Sequence, residues 1–421
     1  MNTPKQKWNK CKIGDISTVV SGYGFPIKYQ GKKEGDIPFY KVADISTSFL
    51  AGKIYLEEAQ HYLSQKEMEE IKAKTLEKGT IVFAKIGEAI RLNRRVILSR
   101  RSLVDNNVIG VLPSEKVSSL YMYYFLCTQK LGELSRSTTV PSLRKGDIED
   151  IEIPLPATRR EQDLVVEKLN NVFKKTKNCK ERLDKIPFLL KRFRQSVLTA
   201  ACSGRLTESW REKKGIIDYT ETWQTHKISD IFDINPGHKG ISIRDDMDVT
   251  FLPMEKVQEE VGIIDTSIVR KYSEVKNGYT KFIEGDVVFA KITPCMENGK
   301  IALVSGLKNK IGCGTTEFHV FREKQKGLAK YLFYFLLRDD IRELARQSFQ
   351  GTSGHLRVPK DFFESLDFPL PPTEEIAIII DRIEKLFKIS NNIENQYNKA
   401  KIYFNKINQS VLSKAFKGEL H

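Results

Sequence analysis

One stretch of this chain, Thr158 to Leu206, is written twice, and the repeat limits the folds open to it. In the first copy, apolar or small residues fall at Val165, Leu169, Val172, Thr176, Cys179, Leu183, Ile186, Leu190, Phe193, Val197 and Ala200. The steps alternate four and three, which is the seam of a helix built to pack along another long helix. The seam returns 214 positions later as Ile379, Ile383, Leu386, Ser390, Ile393, Tyr397, Ala400, Phe404, Ile407 and Val411. Both copies close alike, with Gln195-Ser-Val-Leu and Gly204-x-Leu206 matched by Gln409-Ser-Val-Leu and Gly418-x-Leu420. A helix with one apolar stripe needs a partner, and the other copy is the natural one.

The helix ends can also be read. Ile153-Pro-Leu-Pro156 precedes Thr158-Arg-Arg-Glu161, a capping box in which the Thr hydroxyl and the Glu carboxylate each satisfy a free amide. Phe368-Pro-Leu-Pro371 precedes Thr373, with Glu374 and Glu375 in the first turn, where the helix dipole favours anions. Gly204 and Gly418 suit the left-handed residue that ends a helix. Each helix is expected to run for about 45 residues, or about 65 Å. Pro187 interrupts the first and is matched by Lys401 in the second, so a kink or break is expected in the first helix only.

A chain of 421 residues, 40% apolar, has room for two or three domains with real cores. No apolar run reaches the roughly 18 residues of a membrane helix, and Met1 to Trp8 has no apolar signal core, so a cytoplasmic protein is expected. The six cysteines are scattered without a Cys-x-x-Cys pair, which fits a reducing compartment and argues against zinc. The net charge of +15 points to a polyanionic partner, most simply nucleic acid. The surplus is uneven. Thr158–Leu206 holds thirteen Lys and Arg against five Asp and Glu, a net of +8; Thr373–His421 holds eight against six, a net of +2.

The segments between the helices repeat more loosely. Trp8-Asn-Lys-Cys-Lys-Ile-Gly-Asp-Ile16 matches Trp223-Gln-Thr-His-Lys-Ile-Ser-Asp-Ile231, and Gly79 to Ile86 matches Gly285 to Ile292 through a shared Phe-Ala-Lys-Ile. Tyr124-Phe-Leu126 matches Tyr334-Phe-Leu336. Ile81–Ala84 reads as a buried strand, Leu63 to Leu76 and Ser119 to Leu134 as helices, and Arg91 to Arg101 as a strongly basic stretch. The expected organisation is an α+β protein: globular units at 1–157 and 223–372, long helices at 158–206 and 373–421, and a connector at 207–222. The two helices are expected to pack on each other in a pseudo-twofold molecule, not a solenoid.

A search for catalytic machinery finds little. There is no phosphate-binding Gly-x-x-x-x-Gly-Lys-Ser/Thr loop, no Asn/Asp-Pro-Pro-Tyr/Phe motif, and no metal spacing among the six histidines. Asp265 with Glu274-Val-Lys276 superficially resembles a nuclease carboxylate cluster, although no converging constellation supports it. The loops after the strands are more informative. Lys85 leads into Arg91, Asn93, Arg94 and Arg95; Lys291 leads into Thr293, Asn298 and Lys300. Arg, Asn and Lys grip phosphates and read base edges, and a strand gives them a rigid base from which to do so. Thr138 and Thr139 with Arg144 and Lys145, and Thr352 and Ser353 with His355 and Arg357, form a second tier of candidate DNA contacts. The seam residues are read as packing.

Two variable units alternating with two similar helices, each helix opened by Pro-Leu-Pro and closed by Gln-Ser-Val-Leu and Gly-x-Leu, resemble the specificity subunit of type I restriction-modification systems. The Phe-Ala-Lys-Ile strands, Ile292-Thr-Pro-Cys-Met-Glu-Asn-Gly-Lys300 and Glu161-Gln162 carry the same likeness, which covers essentially the whole chain; Glu375-Ile376 and Pro187 depart from it. The resemblance implies that each globular unit is a target recognition domain reading half of a split double-stranded DNA sequence. It implies that the helices pair as an antiparallel coiled coil that sets the gap and docks two methyltransferase subunits, and that a restriction (translocase-nuclease) subunit completes the complex. S-adenosylmethionine, ATP and Mg would then belong to those partners, and this chain would carry no catalysis and bind no cofactor. Two other readings stay open at this point: a metal-dependent nuclease using Asp265, Glu274 and Lys276, and a coiled-coil adaptor with incidental DNA affinity.

Overall fold

The computed structural model describes residues 8–135, 140–216, 218–352 and 356–419. The chain divides into two compact units, residues 1–184 with 399–421, and residues 185–398.

In the first unit the central sheet has five strands in the order Ser17–Ser21, Val108–Pro113, Ile81–Ala84, Arg95–Leu98, Tyr55–Leu56. Ile81–Ala84 is buried along its whole length, as a four-residue apolar run in mid-sheet should be. A three-stranded sheet (His61–Leu63, Ile37–Tyr40, Leu103–Val104) stands beside it, and Asn9–Lys12 pairs antiparallel with Glu152–Leu155. The helix Ser119–Thr128 buries Tyr121 to Leu126. It shares a core with Val166 and Leu169 of the first long helix and Leu412, Ala415 and Phe416 of the last. Phe416 stands edge-on to Tyr121 and Phe125, at 5.1 and 5.4 Å between centroids.

The second unit repeats the first four strands of this order: Phe232–Ile234, Phe318–Glu323, Val287–Ala290, Ile301–Leu303. Gln224–Lys227 pairs with Asp367–Leu370 in the register of the first unit's terminal pair. Its helix Ala329–Leu336 packs with Val197, Leu198 and Ala201 of the first long helix and Ile376, Ile379 and Ile383 of the second. Full burial of such a side chain is worth roughly 1.5–3 kcal/mol.

The first long helix runs from Arg159 to Leu183, stops, and resumes from Ile186 to Cys202 with Pro187 in its first turn. A proline ring strikes the carbonyl four residues back, here that of Leu183, and supplies no N–H. The second long helix, with Lys401 at the matching place, is continuous from Thr373 to Phe416. Thr158 and Glu161 form the expected capping box, with amide bonds of 3.3 and 3.1 Å. Gly204 and Gly418 take positive φ of 74° and 70° just past the two helix ends.

Within the second unit Arg194 donates to Asn391 and Glu394 (2.8 and 2.6 Å), and Arg382 donates to the Leu206 carbonyl (2.5 Å). Residue numbers rise along one helix there as they fall along the other. The seam is closed only in places. Leu169, Leu190, Val197, Ile379, Ile383 and Ser390 are buried. Val165, Val172, Leu183, Ile186, Leu386, Tyr397, Phe404, Ile407 and Val411 are half-buried. Cys179, Phe193 and Ile393 are exposed, against the expectation of continuous packing. The buried positions Val166, Ile376 and Leu412 lie off the seam, because each helix also packs on a globular unit.

Two helical expectations are corrected. Leu63–Leu76 holds only a short helix, Gln65–Glu70, because His61–Leu63 is taken up as a strand. The helix begun at Ser119 ends at Thr128. The connector contains a polar node sealed from solvent. Arg211 (4% side-chain exposure) pairs with Glu375 (1%) at 2.5 Å, and Trp223 Nε1 donates to the other Glu375 oxygen at 2.8 Å. Thr207 Oγ1 donates to Glu375 (2.6 Å), and Arg211 also donates to the Gly204 carbonyl (2.6 Å).

Candidate nucleic-acid interface

Both units place a lysine directly after the buried central strand and lay a returning segment beside it. In the first unit the Lys85 N–H donates to the Asn107 carbonyl (2.9 Å), and the Lys85 carbonyl accepts from Leu143 N–H (2.9 Å). Gly87 N–H donates to the Pro141 carbonyl (2.8 Å), so the chain entering Arg144 and Lys145 runs along Lys85–Gly87. In the second unit Lys291 N–H donates to the Glu317 carbonyl (2.9 Å), and its carbonyl accepts from Val358 N–H (2.9 Å). Thr293 N–H donates to the Leu356 carbonyl (3.1 Å), which brings Arg357 beside the loop. Lys85 and Lys291 are half-buried at the base and carry no ion pair among the described residues. A cation held by its stem with its head uncommitted suits an anionic ligand.

The rest of the first basic run separates into two kinds of residue. Arg91 is exposed and loosely paired with Glu88 (3.5 Å), a contact of little energetic weight. Arg94 is half-buried and carries no ion pair among the described residues. Asn93 takes a left-handed φ of 56°, donates to the Gln129 carbonyl (2.9 Å) and accepts from Leu131 N–H (3.1 Å). Arg95 is 0% exposed and donates to the carbonyls of Asn93 (3.1 Å) and Gln129 (3.3 Å). Burial pulls its guanidinium below the ordinary pKa. Arg95 is therefore not placed to meet DNA, contrary to the sequence expectation, because the basic run there is the first residue of a buried strand paired with Phe83. Asn93 is likewise occupied with shaping its own turn.

Arg144 and Lys145 are exposed, Arg144 through its N–H at the Asp147 carboxylate (3.1 Å) and Lys145 at 3.4 Å from Glu149. The candidate side chains of the second unit's loop are bound within the loop or to the turn at 254–259. Thr293 Oγ1 donates to Glu297 (2.8 Å), Asn298 Nδ2 to Glu259 (2.9 Å) and Lys300 Nζ to the Met254 carbonyl (3.1 Å). Arg357 grips Glu317 through two 2.8 Å bonds, which raise its pKa. Thr352 is exposed; Thr138, Thr139, Ser353 and His355 lie outside the described residues. Sequence reasoning misses Glu317, Glu259, Glu260 and Arg342. Arg342 alone carries a signal: an arginine beside Ile341 and Ala345 on the buried side of a helix.

Asp265 is bound to Lys256 (2.5 Å) and to Ser267 N–H (3.0 Å), which together hold its carboxyl well below the usual carboxylate range. Lys276 is bound to Asp245 (2.7 Å), and Glu274 is exposed. Among the described residues no three His, Cys, Asp or Glu side chains gather to hold a metal ion, and no helix is long and apolar enough to cross a membrane.

The model of the type I restriction modification DNA specificity domain matches this chain twice, at residues 5–187 and 220–401. The EcoDI type I restriction enzyme specificity subunit of Escherichia coli is 29% identical over 325 residues, covering 72% of this chain and 70% of that protein. The EcoBI subunit of E. coli is 24% identical over 439 residues, covering 98% and 86%. The EcoAI subunit of E. coli is 35% identical over 187 residues, but this stretch is only 31% of its length. Among solved structures, the HsdS subunit of Thermoanaerobacter tengcongensis superposes with a TM-score of 0.61 at 14% identity, covering 98% of this chain and 97% of that one. A chain from a structure of type I R-M complex assembly and conformational transition gives 0.61 at 14% identity, covering 98% of each.

Proposed function

Because this chain belongs to the type I restriction modification DNA specificity family, we propose that it reads a bipartite double-stranded DNA target, one block with each globular unit. The recognition domains are residues 1–157 and 223–372. The spacer helices at 158–206 and 373–421, the first leading through the connector at 207–222 into the second recognition domain, pair as an antiparallel coiled coil in a pseudo-twofold molecule and fix the gap between the blocks. That pair docks two methyltransferase subunits, and restriction subunits join them. S-adenosylmethionine, ATP and Mg are held by those partners. The complex works in the cytoplasm, where host DNA lies.

One observation carries this reading. The same construction, a buried strand ending in an uncommitted lysine with a basic segment laid beside it, occurs once in each unit on the same strand order. Lys85, Arg91, Arg94, Arg144 and Lys145 are the contacts assigned to the first block. Lys291 leads those of the second, with Thr293, Asn298, Lys300, Thr352 and Arg357 around it. The loops differ while the framework repeats, so the blocks differ in sequence. Phosphate contacts set position and base-edge contacts set specificity.

The test is a base-resolution adenine methylation map of the host with and without the gene. A split motif should vanish on deletion, and replacing residues 223–372 should change one block while leaving the other and the gap intact. A map unchanged by deletion, in a host shown to methylate through this system, sinks the reading.

A further inference from the structure

Beneath the second unit's loop lies a guanidinium that the recognition reading does not use. Arg342, on the helix Asp339–Gln347, is 5% exposed. Its Nη1 donates to the Glu297 carbonyl at 2.6 Å, and its Nη2 donates to Glu260 Oε1 at 2.9 Å and to Asp339. The loop backbone closes tightly over it. Gly299 has a φ of +68°, and a Cβ there would lie 2.7 Å from Arg342 Nη1 and 3.0 Å from Glu260 Cγ. Glu260 itself sits at a φ of 58°, and its N–H donates to the Gly299 carbonyl (2.9 Å). The same Glu260 oxygen accepts from Lys191 Nζ at 2.8 Å, and Lys191 stands on the helix Ile186–Cys202.

One carboxylate oxygen thus joins a spacer helix to the underside of the loop, with a planar donor fork fixing the angle between them. A guanidinium can hold several acceptors in one plane at fixed directions, which an ammonium or an apolar side chain cannot. Two candidate contacts of this loop are bound next to the clamp, Thr293 to Glu297 and Asn298 to Glu259. Their aim therefore depends on where the backbone at Glu297–Gly299 is held.

We propose that Arg342, acting through Glu260 and anchored by Lys191, is the positioning residue that sets the base selectivity of the second recognition unit without touching DNA. This rests on the reading of residues 291–300 as a DNA-contacting loop. Fold stabilisation alone would make a different forecast, since a less stable subunit loses binding to every site in proportion and keeps its base preferences.

The experiment uses the full chain assembled with its methyltransferase partners. It measures binding to duplexes carrying the mapped motif or single-base changes in either block. Arg342→Lys keeps the charge and loses the fork. Discrimination against wrong bases should fall by about tenfold in the block assigned to residues 223–372 and stay within about twofold in the other. Glu260→Gln, at a half-buried site, should give the same one-sided loss, and it keeps the proposal testable if Arg342→Lys folds poorly. Lys191→Gln should give a smaller loss in the same block. Equal loss in both blocks, or unchanged discrimination in both, overturns the proposal while leaving bipartite recognition standing. If the unaltered protein directs no split motif, the recognition reading falls and this proposal falls with it.

Discussion

Replacing Arg211 by Met should damage the second unit more than replacing Arg211 and Glu375 together. Arg211 and Glu375 are a buried ion pair at 2.5 Å, with Thr207 and Trp223 also donating to the carboxylate. Two unit charges about 3 Å apart at an effective dielectric near 20 attract by roughly 5 kcal/mol before desolvation is charged against them. Most of that is offset in the intact pair, but removing one partner strands the other, at about 3–5 kcal/mol. Arg211→Met leaves a buried carboxylate facing only a hydroxyl and an indole N–H. Adding Glu375→Gln removes the stranded charge while keeping an acceptor for Trp223, so the double variant should recover about 2 kcal/mol or more. The assay is urea unfolding of the full chain followed by tryptophan fluorescence, since Trp210 and Trp223 both flank the node. At about 3 kcal/mol per M, a loss of 3 kcal/mol moves the midpoint by about 1 M. If the two single losses add within about 0.5 kcal/mol in the double variant, the residues are not coupled and this account of the node is wrong.

Lys85→Gln and Lys291→Gln should each weaken DNA binding and lower the slope of log affinity against log salt by about 0.9 for each phosphate left without its cation, read by titration at several salt concentrations; an unchanged slope removes that lysine from the interface. Asn93→Ala takes away two loop hydrogen bonds and a residue tolerant of left-handed backbone, so thermal unfolding should show a loss of about 2 kcal/mol with the second DNA block still read normally. His319 is buried, donating from Nε2 to the Val358 carbonyl (2.8 Å) and facing Asn235 with Nδ1 (3.2 Å). Burial lowers its pKa below the ordinary 6.5, so the unfolded chain takes the proton more readily. The stabilisation is present above pH 6.5 and is lost as pH falls through the depressed value, by up to about 1.4 kcal/mol per pH unit. His319→Gln should flatten the fall in urea midpoint between pH 7 and 5; an equally steep fall would place the effect elsewhere, with His238, also depressed by burial, next in line.

Legibility in the sequence follows the range of the physics involved. The helix boundaries rest on local chemistry, and Thr158, Glu161, Pro187, Gly204 and Gly418 can each be read from a few neighbours. The buried central strands at Ile81–Ala84 and Val287–Ala290 are equally plain, being short, apolar and repeated. The seam at Phe193 and Ile393 misleads because periodicity gives the face of a helix but not what stands opposite it. Arg95 misleads for a related reason. Its place in a basic run looks like surface, and only the strand partner Phe83 puts it inside. The Arg342 clamp joins residues 191, 260, 297, 299 and 342, and no local pattern links positions so far apart.

The first compact unit is assembled from residues 1–184 and 399–421, while the second is one uninterrupted stretch. During synthesis, then, the later unit can finish first. At about 5–20 residues per second, the aromatic patch of Tyr121 and Phe125 waits roughly 15–60 seconds for Phe416 to leave the ribosome. Throughout that interval a sticky surface is open to chaperones and proteases. A ribosome that stalls before residue 399 releases a chain whose second unit has all its residues while the first lacks Leu412, Ala415 and Phe416 from its core. Completion of the first unit is thus tied to the last turns of the second long helix, so the chain's final residues close a core whose opening strands were made first.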